Sequence, residues 1–83
     1  MKVSIKYFAS IRESVGQGHE AFVTQANTLG TLRDELIARG GVYADSLARG
    51  RAVRMALNQV MSDEFAALVD GCEVAFFPPV TGG

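Results

Sequence analysis

The residues best placed to do chemistry lie at the end of the chain: Phe76-Phe77-Pro78-Pro79-Val80-Thr81-Gly82-Gly83, a stretch with no charged side chain. Pro78-Pro79 favours a stiff, extended exit from whatever precedes it. Fully extended, Pro78 to Gly83 reaches roughly 20 Å. Gly82 and Gly83 carry no side chains, so they can thread a narrow channel with the backbone against its walls. The group at the tip is the α-carboxylate of Gly83. A bare diglycine carboxylate on a stiff arm suits the delivery of an acyl group into another protein's active site. Glycine is common at frayed termini, and a terminal Gly-Gly alone says little. The Pro-Pro arm, set directly after a last strand, makes the signal more specific.

Other candidate residues compare poorly with the tail. Cys72 falls on the apolar face of a strand, where a free cysteine acts as a small buried hydrophobe. No neighbour in sequence marks its thiol as reactive. His19 stands beside a turn, without the further ligands a metal site needs, so no metal site is expected. Arg49, Arg51 and Arg54 form a modest basic cluster that suits either an acidic partner surface or plain solvation. Asp63, Glu64 and Asp70 read as polar surface. Phe77 alternates to the face opposite Val74 and Phe76. There it can anchor a partner, with Phe8 adding to the patch, or pack under a loop.

These residues need elements to hold them. Val3, Ile5 and Tyr7 alternate with Lys2, Ser4 and Lys6, which predicts a half-buried strand. Ser10 and Glu13 have the spacing of a capping box for a short helix over 10–15, with Gly16 as its stop. Gly16-Gln17-Gly18 is a turn, and 19–24 reads as a second strand in a hairpin with the first. Thr28 or Thr31 caps a longer helix running to about Arg39, with Leu29, Leu32, Leu36 and Ile37 as its apolar stripe and Arg33, Asp34 and Glu35 largely off it. Residues 42–50 read as a loop with at most a turn of helix. Val53, Met55 and Leu57 mark a third strand. Asn58-Gln59 then turns the chain into a short return strand at Val60-Met61. Ser62 to Leu68 reads as a brief helical turn, and Asp70-Gly71 as another turn. Cys72 to Phe77 forms the last strand, ended by prolines that cannot donate to a ladder.

Periodicity supports an α+β domain in which one main helix covers one face of a mixed sheet. Pairing the first and last strands in parallel at the sheet centre gives a ubiquitin-like β-grasp, one inferential step further. The expected organisation is a β-grasp domain over 1–77 and an extended tail over 78–83.

Bulk properties agree with a protein that acts through a terminus or a partner. The 83 residues make one domain, which buries only about 60% of its unfolded surface and leaves little room for a deep active site. Eight basic and nine acidic residues leave a net charge of −1, which argues against nucleic-acid binding. No apolar run is long enough for a membrane span. Met1-Lys2 leads straight into a strand pattern, so no signal peptide is expected. The single cysteine fits a reducing compartment, with the cytoplasm as the default.

The segment from Leu68 through Asp70-Gly71-Cys72-Glu73-Val74 and Pro78-Pro79 to Gly82-Gly83 resembles the C-terminus of the small subunits of molybdopterin synthase. The opening Lys2 to Glu13 is similar to that family's first strand and helix. Thr28-Leu29-Gly30-Thr31-Leu32 is similar to its second helix start, and Ala56-Leu57-Asn58-Gln59 to its third strand. One departure is Cys72, where the family commonly has aspartate; it lies away from the tip.

The resemblance implies a ubiquitin-like sulfur carrier. An ATP-dependent activating enzyme adenylates the Gly83 carboxylate, and a sulfur donor protein converts it to a thiocarboxylate. The tail, from Phe77, Pro78, Pro79, Val80 and Thr81 to Gly82, then enters the large catalytic subunit of the synthase in a heterotetramer. There the sulfur passes to a pterin precursor of the molybdenum or tungsten cofactor. The carrier itself needs no bound cofactor and no catalytic acid or base. A thiamine-pathway sulfur carrier, a modifier that forms isopeptide bonds with lysines, and a binding module with an inert tail remain alternatives.

Overall fold

The computed structural model describes residues 1–79. Strand β1 (Lys2–Tyr7) leads into helix α1 (Ala9–Val15) and strand β2 (His19–Val23). Helices α2 (Leu29–Ile37) and α3 (Gly41–Leu47) follow, then strands β3 (Arg54–Leu57), β4 (Val60–Ser62) and β5 (Glu73–Phe77). The sheet order is β2-β1-β5-β3-β4. Strands β1 and β5 pair in parallel, Ile5 beside Val74 and Tyr7 beside Phe76. The other neighbours are antiparallel. This is the β-grasp arrangement, with the last strand at the centre of the sheet.

Alternation decides which face is covered. Val3, Ile5 and Tyr7 from β1, Val74 and Phe76 from β5 with Cys72 just before it, and Met55 from β3 all turn inward. Leu29, Leu32 and Leu36 of α2 pack on them, joined by Ile11 of α1 and Leu47 of α3. Each fully buried aliphatic or aromatic side chain contributes about 1.5–3 kcal/mol. Asn58 and Gln59 both adopt positive φ, 49° and 68°, the primed turn that matches the twist of a β3–β4 hairpin.

Several local expectations give way to tertiary contacts. The Ser10–Glu13 capping box does not form. Phe8 is the N-cap, without a side-chain cap, and its carbonyl accepts from the amides of Ile11 and Arg12. Gly16 does end α1 in the left-handed conformation, at φ 88°. At α2 the Thr28 hydroxyl accepts from the Thr31 amide, which decides between the two caps.

Much of 42–50, read as a loop with at most a turn of helix, belongs instead to the two-turn helix α3, Gly41–Leu47. The predicted helical turn over 62–68 is instead a tight turn and an extended return. The return serves the start of α2: Leu29 donates to the Ala66 carbonyl, Gly30 to that of Glu64, and Leu68 to that of Asn27. Gly30 is required there, because a Cβ would lie 2.9 Å from the Glu64 Cβ.

Arg33, placed off the apolar stripe by its charge, is only 5% exposed. Its guanidinium donates to the carbonyls of Leu47 at 2.7 Å, Ala48 at 2.7 Å and Arg51 at 3.1 Å. Burial, then the nearby Arg49, lowers its pKa, yet an arginine stays charged in proteins. The buried cation thus serves as the clamp that closes α3 and the turn after it.

Candidate functional site

The site is built outward from β5. This central strand is flanked by β1 on one side and β3 on the other, so the chain leaves the fold from its best-supported strand. Phe77 is its last residue, opposite Arg54 of β3. Pro78 is half-buried and Pro79 exposed. Val80, Thr81, Gly82 and Gly83, the sequence-predicted tip, lie outside the described residues.

Phe76 and Phe77 alternate as expected. Phe76 is fully buried and stacks on Tyr7, with centroids 6.2 Å apart. Phe77 turns to the other face and stacks on Phe8 at 5.1 Å and 27°. Phe8 is 41% exposed, so the pair forms an apolar shelf beside the tail rather than a plug beneath a loop. A backbone bond from the Phe8 amide to the Phe76 carbonyl, 3.1 Å, locks the two aromatics together. Ala9, next in the chain, sits at φ 50°, a left-handed conformation that costs a non-glycine residue about 1–2 kcal/mol. No pattern in the sequence signals that strain.

Behind the shelf, the outer sheet face carries Ala56 beside Ala75, both buried. Lys6 pairs with Glu73 at 3.2 Å. The covered face is held by a polar cluster on Glu20. Its carboxylate accepts from Tyr7 Oη at 2.8 Å, Gln17 Nε2 at 3.0 Å, Tyr43 Oη at 3.2 Å and Arg39 Nη1 at 2.9 Å. Burial, then the bond to Glu20, pushes the Tyr7 phenol well above its ordinary range. Arg39 also lies over the Tyr43 ring, 4.0 Å from its centroid.

The remaining sequence candidates separate cleanly. Cys72 is 3% exposed, inside the core and away from the tail. His19 is exposed on β2. Among the described residues no group of three or more metal-ligating side chains gathers. The basic cluster does not act as a unit. Arg49 is tied to Asp34 at 2.9 Å and to Glu64 at 3.0 Å, and it holds the Asp34 carboxyl below the usual carboxylate range. Arg51 and Arg54 remain exposed. Arg51 borders a cleft of about 190 Å³ that Ser10, Ile11 and Ser46 share with Pro78 and Pro79. The sequence offered no sign of it, since its walls come from α1, α3, the β3 approach and the tail. Among the described residues no helix is long and apolar enough to cross a membrane.

Residues 5–83 match the ThiS family. The chain belongs to the ThiS family. Over 81 residues it is 37% identical to the molybdopterin synthase sulfur carrier subunit of Escherichia coli, covering 98% of this chain and 99% of that protein. Among solved structures, this ThiS family member is similar to a chain in the complex of subunits 1 and 2 of molybdopterin-converting factor from Helicobacter pylori. There the identity is 31%, the TM-score 0.66, and both chains are fully covered. The small archaeal modifier protein 1 of Haloferax volcanii shares the fold, with a TM-score of 0.75 at 21% identity over 95% of this chain and 98% of that one.

Proposed function

We propose that this chain is the sulfur carrier subunit of a molybdopterin synthase, and that Gly83 is its working residue. The observation that carries the reading is the end-to-end similarity to a sulfur carrier subunit, 37% over 98% of the chain. The described geometry supports it. The tail is rooted on the central strand, beside a shelf of exposed Phe8 and half-buried Phe77.

In this reading an ATP-dependent enzyme attaches AMP to the Gly83 carboxylate and releases pyrophosphate. The poor electrophile becomes a mixed anhydride with a good leaving group. A sulfur donor protein displaces AMP and leaves a thiocarboxylate. Phe77 and Phe8 anchor the large catalytic subunit, while Pro78, Pro79, Val80, Thr81 and Gly82 carry the tip into its pocket. There the sulfur passes to a pterin precursor. A soft thiocarboxylate is sheltered inside the partner, which also supplies the acids and bases. The carrier is therefore not itself an enzyme, holds no cofactor, and works in the cytoplasm within a heterotetramer.

The test is the intact mass of the chain after incubation with ATP, a family activating enzyme and a sulfur source. The expected product has one oxygen replaced by sulfur, and a chain lacking Gly83 gives none. An unchanged mass with a demonstrably active enzyme overturns the carrier reading. Isopeptide adducts on lysines of other proteins, without sulfur transfer to a pterin, would make it a modifier instead.

A further inference from the structure

The turn after β4 holds a residue that packing does not explain. Phe65 is 79% exposed, more than any other large apolar side chain among the described residues. Its backbone, by contrast, is firmly held. The Phe65 amide donates to Asp63 Oδ1 at 2.9 Å, and the Ala66 amide to the Asp63 carbonyl at 3.2 Å. On either side of Phe65, the Glu64 and Ala66 carbonyls accept from the amides of Gly30 and Leu29 in α2, at 2.9 and 3.1 Å. The Glu64 carboxylate is tied to Arg49 at 3.0 Å. A lone exposed apolar residue is ordinary on a small domain. An exposed aromatic whose two chain neighbours are both fixed by another element is preorganised to anchor a partner.

We propose that Phe65 is a second anchor for the large catalytic subunit, seated in an apolar socket with a lysine or arginine at its edge; the inference rests on the carrier reading above. Register puts this spur toward the end of the sheet where β5 gives way to the tail. Ser62, the last residue of β4, pairs with Met55, which pairs with Phe76. Strands lie about 4.8 Å apart, so β4 ends about 10 Å from β5, and Phe65 follows three residues later. Area argues that a lasting partner reaches it. A stable interface takes about 800 Å² from each side. A wholly buried aromatic supplies about 150–250 Å², so Phe8 and Phe77, each already partly covered, fall well short. Toward β2 the outer face meets the charged Lys6–Glu73 pair. Toward β4 it continues through exposed Met61, opposite Ala56, to the spur. An activating enzyme, which must release the carrier at each turnover, works from a smaller contact. The cation at the socket edge follows from Asp63. Glu64 is already paired, whereas Asp63 makes no ion pair among the described residues.

The test is a binding titration of the large synthase subunit with the wild-type chain, Phe65→Ala and Asp63→Asn, beside urea unfolding of each. Phe65→Ala should weaken binding about 10–30-fold, as truncating an interface anchor does. Its unfolding midpoint should not move, because the ring is exposed. Asp63→Asn keeps the acceptor for the Phe65 amide and removes only the charge, so it should slow association a few-fold and leave dissociation unchanged. Wild-type affinity in Phe65→Ala overturns the second anchor and leaves the carrier reading standing. A wild-type chain that does not bind the large subunit overturns the subunit reading and the anchor with it. Affinity lost for the activating enzyme alone also overturns the anchor, as does self-association of the free chain that depends on Phe65 while the subunit contact stays intact, because the occupant is then a different protein.

Discussion

Phe76 and Phe77 are neighbours on one strand, and their surroundings could hardly differ more. Phe76 faces the helices, where Tyr7, Val74 and Leu36 exclude water and Glu20 gathers its donors just beyond. Phe77, half-buried, faces the outer sheet surface and stacks on Phe8. One side of β5 packs into the helix-covered core; on the other, Ala75 is buried beside Ala56 and only the end of the strand, at half-buried Phe77, borders the tail. Small domains have little core to spare, so stability is concentrated on the helix side, and the proposed function assigns recognition to the rim.

The sharpest way to break that comparison is to truncate both rings. Phe76→Ala should cost about 3–5 kcal/mol, as large-to-small changes in a filled core do. Phe77→Ala should cost less, about 1–2 kcal/mol, for a half-buried ring that loses one aromatic pair and part of its apolar burial. In exchange it should weaken binding to the large synthase subunit by about 2 kcal/mol, or ~30-fold. Urea unfolding and a binding titration read the two effects separately. Equal stability losses from the two variants would erase the distinction between the faces.

Arg33 tests how far the helix side extends. Arg33→Ala removes the donors to three carbonyls and should cost ~2–4 kcal/mol. Arg33→Lys should recover only part, because an ammonium cannot span carbonyls that a planar guanidinium bridges. A near-neutral Arg33→Ala would mean that α3 and the 47–51 turn stand without the clamp.

These residues also show what the sequence could express. The β1 alternation, the Leu29–Leu36 stripe and the Phe76/Phe77 split are local patterns set by burial, and each was legible. Helix α3 was not: it begins with Gly41, buries little beyond Ser46 and Leu47, and depends on an arginine in another helix. Arg33 read as surface because its charge was visible and its three carbonyl partners were not. The 62–68 segment has helical composition, but its backbone is committed to α2. Of the site, the turn of Phe77 to the face opposite Phe76 was legible, but alternation alone left open whether it packs under a loop, and its stacking on Phe8 was not predicted by any local pattern. The Arg51 cleft was not legible either, since it exists only once α1, α3 and the tail root meet.

A third test uses pH. Folding holds the Tyr7 phenol protonated, raising its pKa above the ordinary 10.0. A group raised in the folded state contributes stability below its unfolded pKa and loses it as pH rises toward the folded value. The wild type should therefore lose stability steeply above pH 10, by up to about 1.4 kcal/mol per pH unit. Tyr7→Phe should cost ~1 kcal/mol at neutral pH, since Glu20 keeps its other donors, and should show a shallower alkaline limb. Parallel pH profiles for the two proteins would remove Tyr7 from the account.

The smallest effect sharpens the rim side. Ala9 pays about 1–2 kcal/mol for its left-handed backbone, and glycine there pays instead about 0.5–1 kcal/mol of extra unfolded-state entropy. Ala9→Gly should therefore stabilise the domain by roughly 0.5 kcal/mol, raising Tm by about 2–4 °C. Because the Phe8–Phe76 backbone bond fixes the shelf independently, binding to the large subunit should not change. A lower Tm would mean that the Ala9 methyl packs usefully. A Tm gain accompanied by weaker binding would mean that the strained turn, and not the backbone bond, aims Phe8 at Phe77.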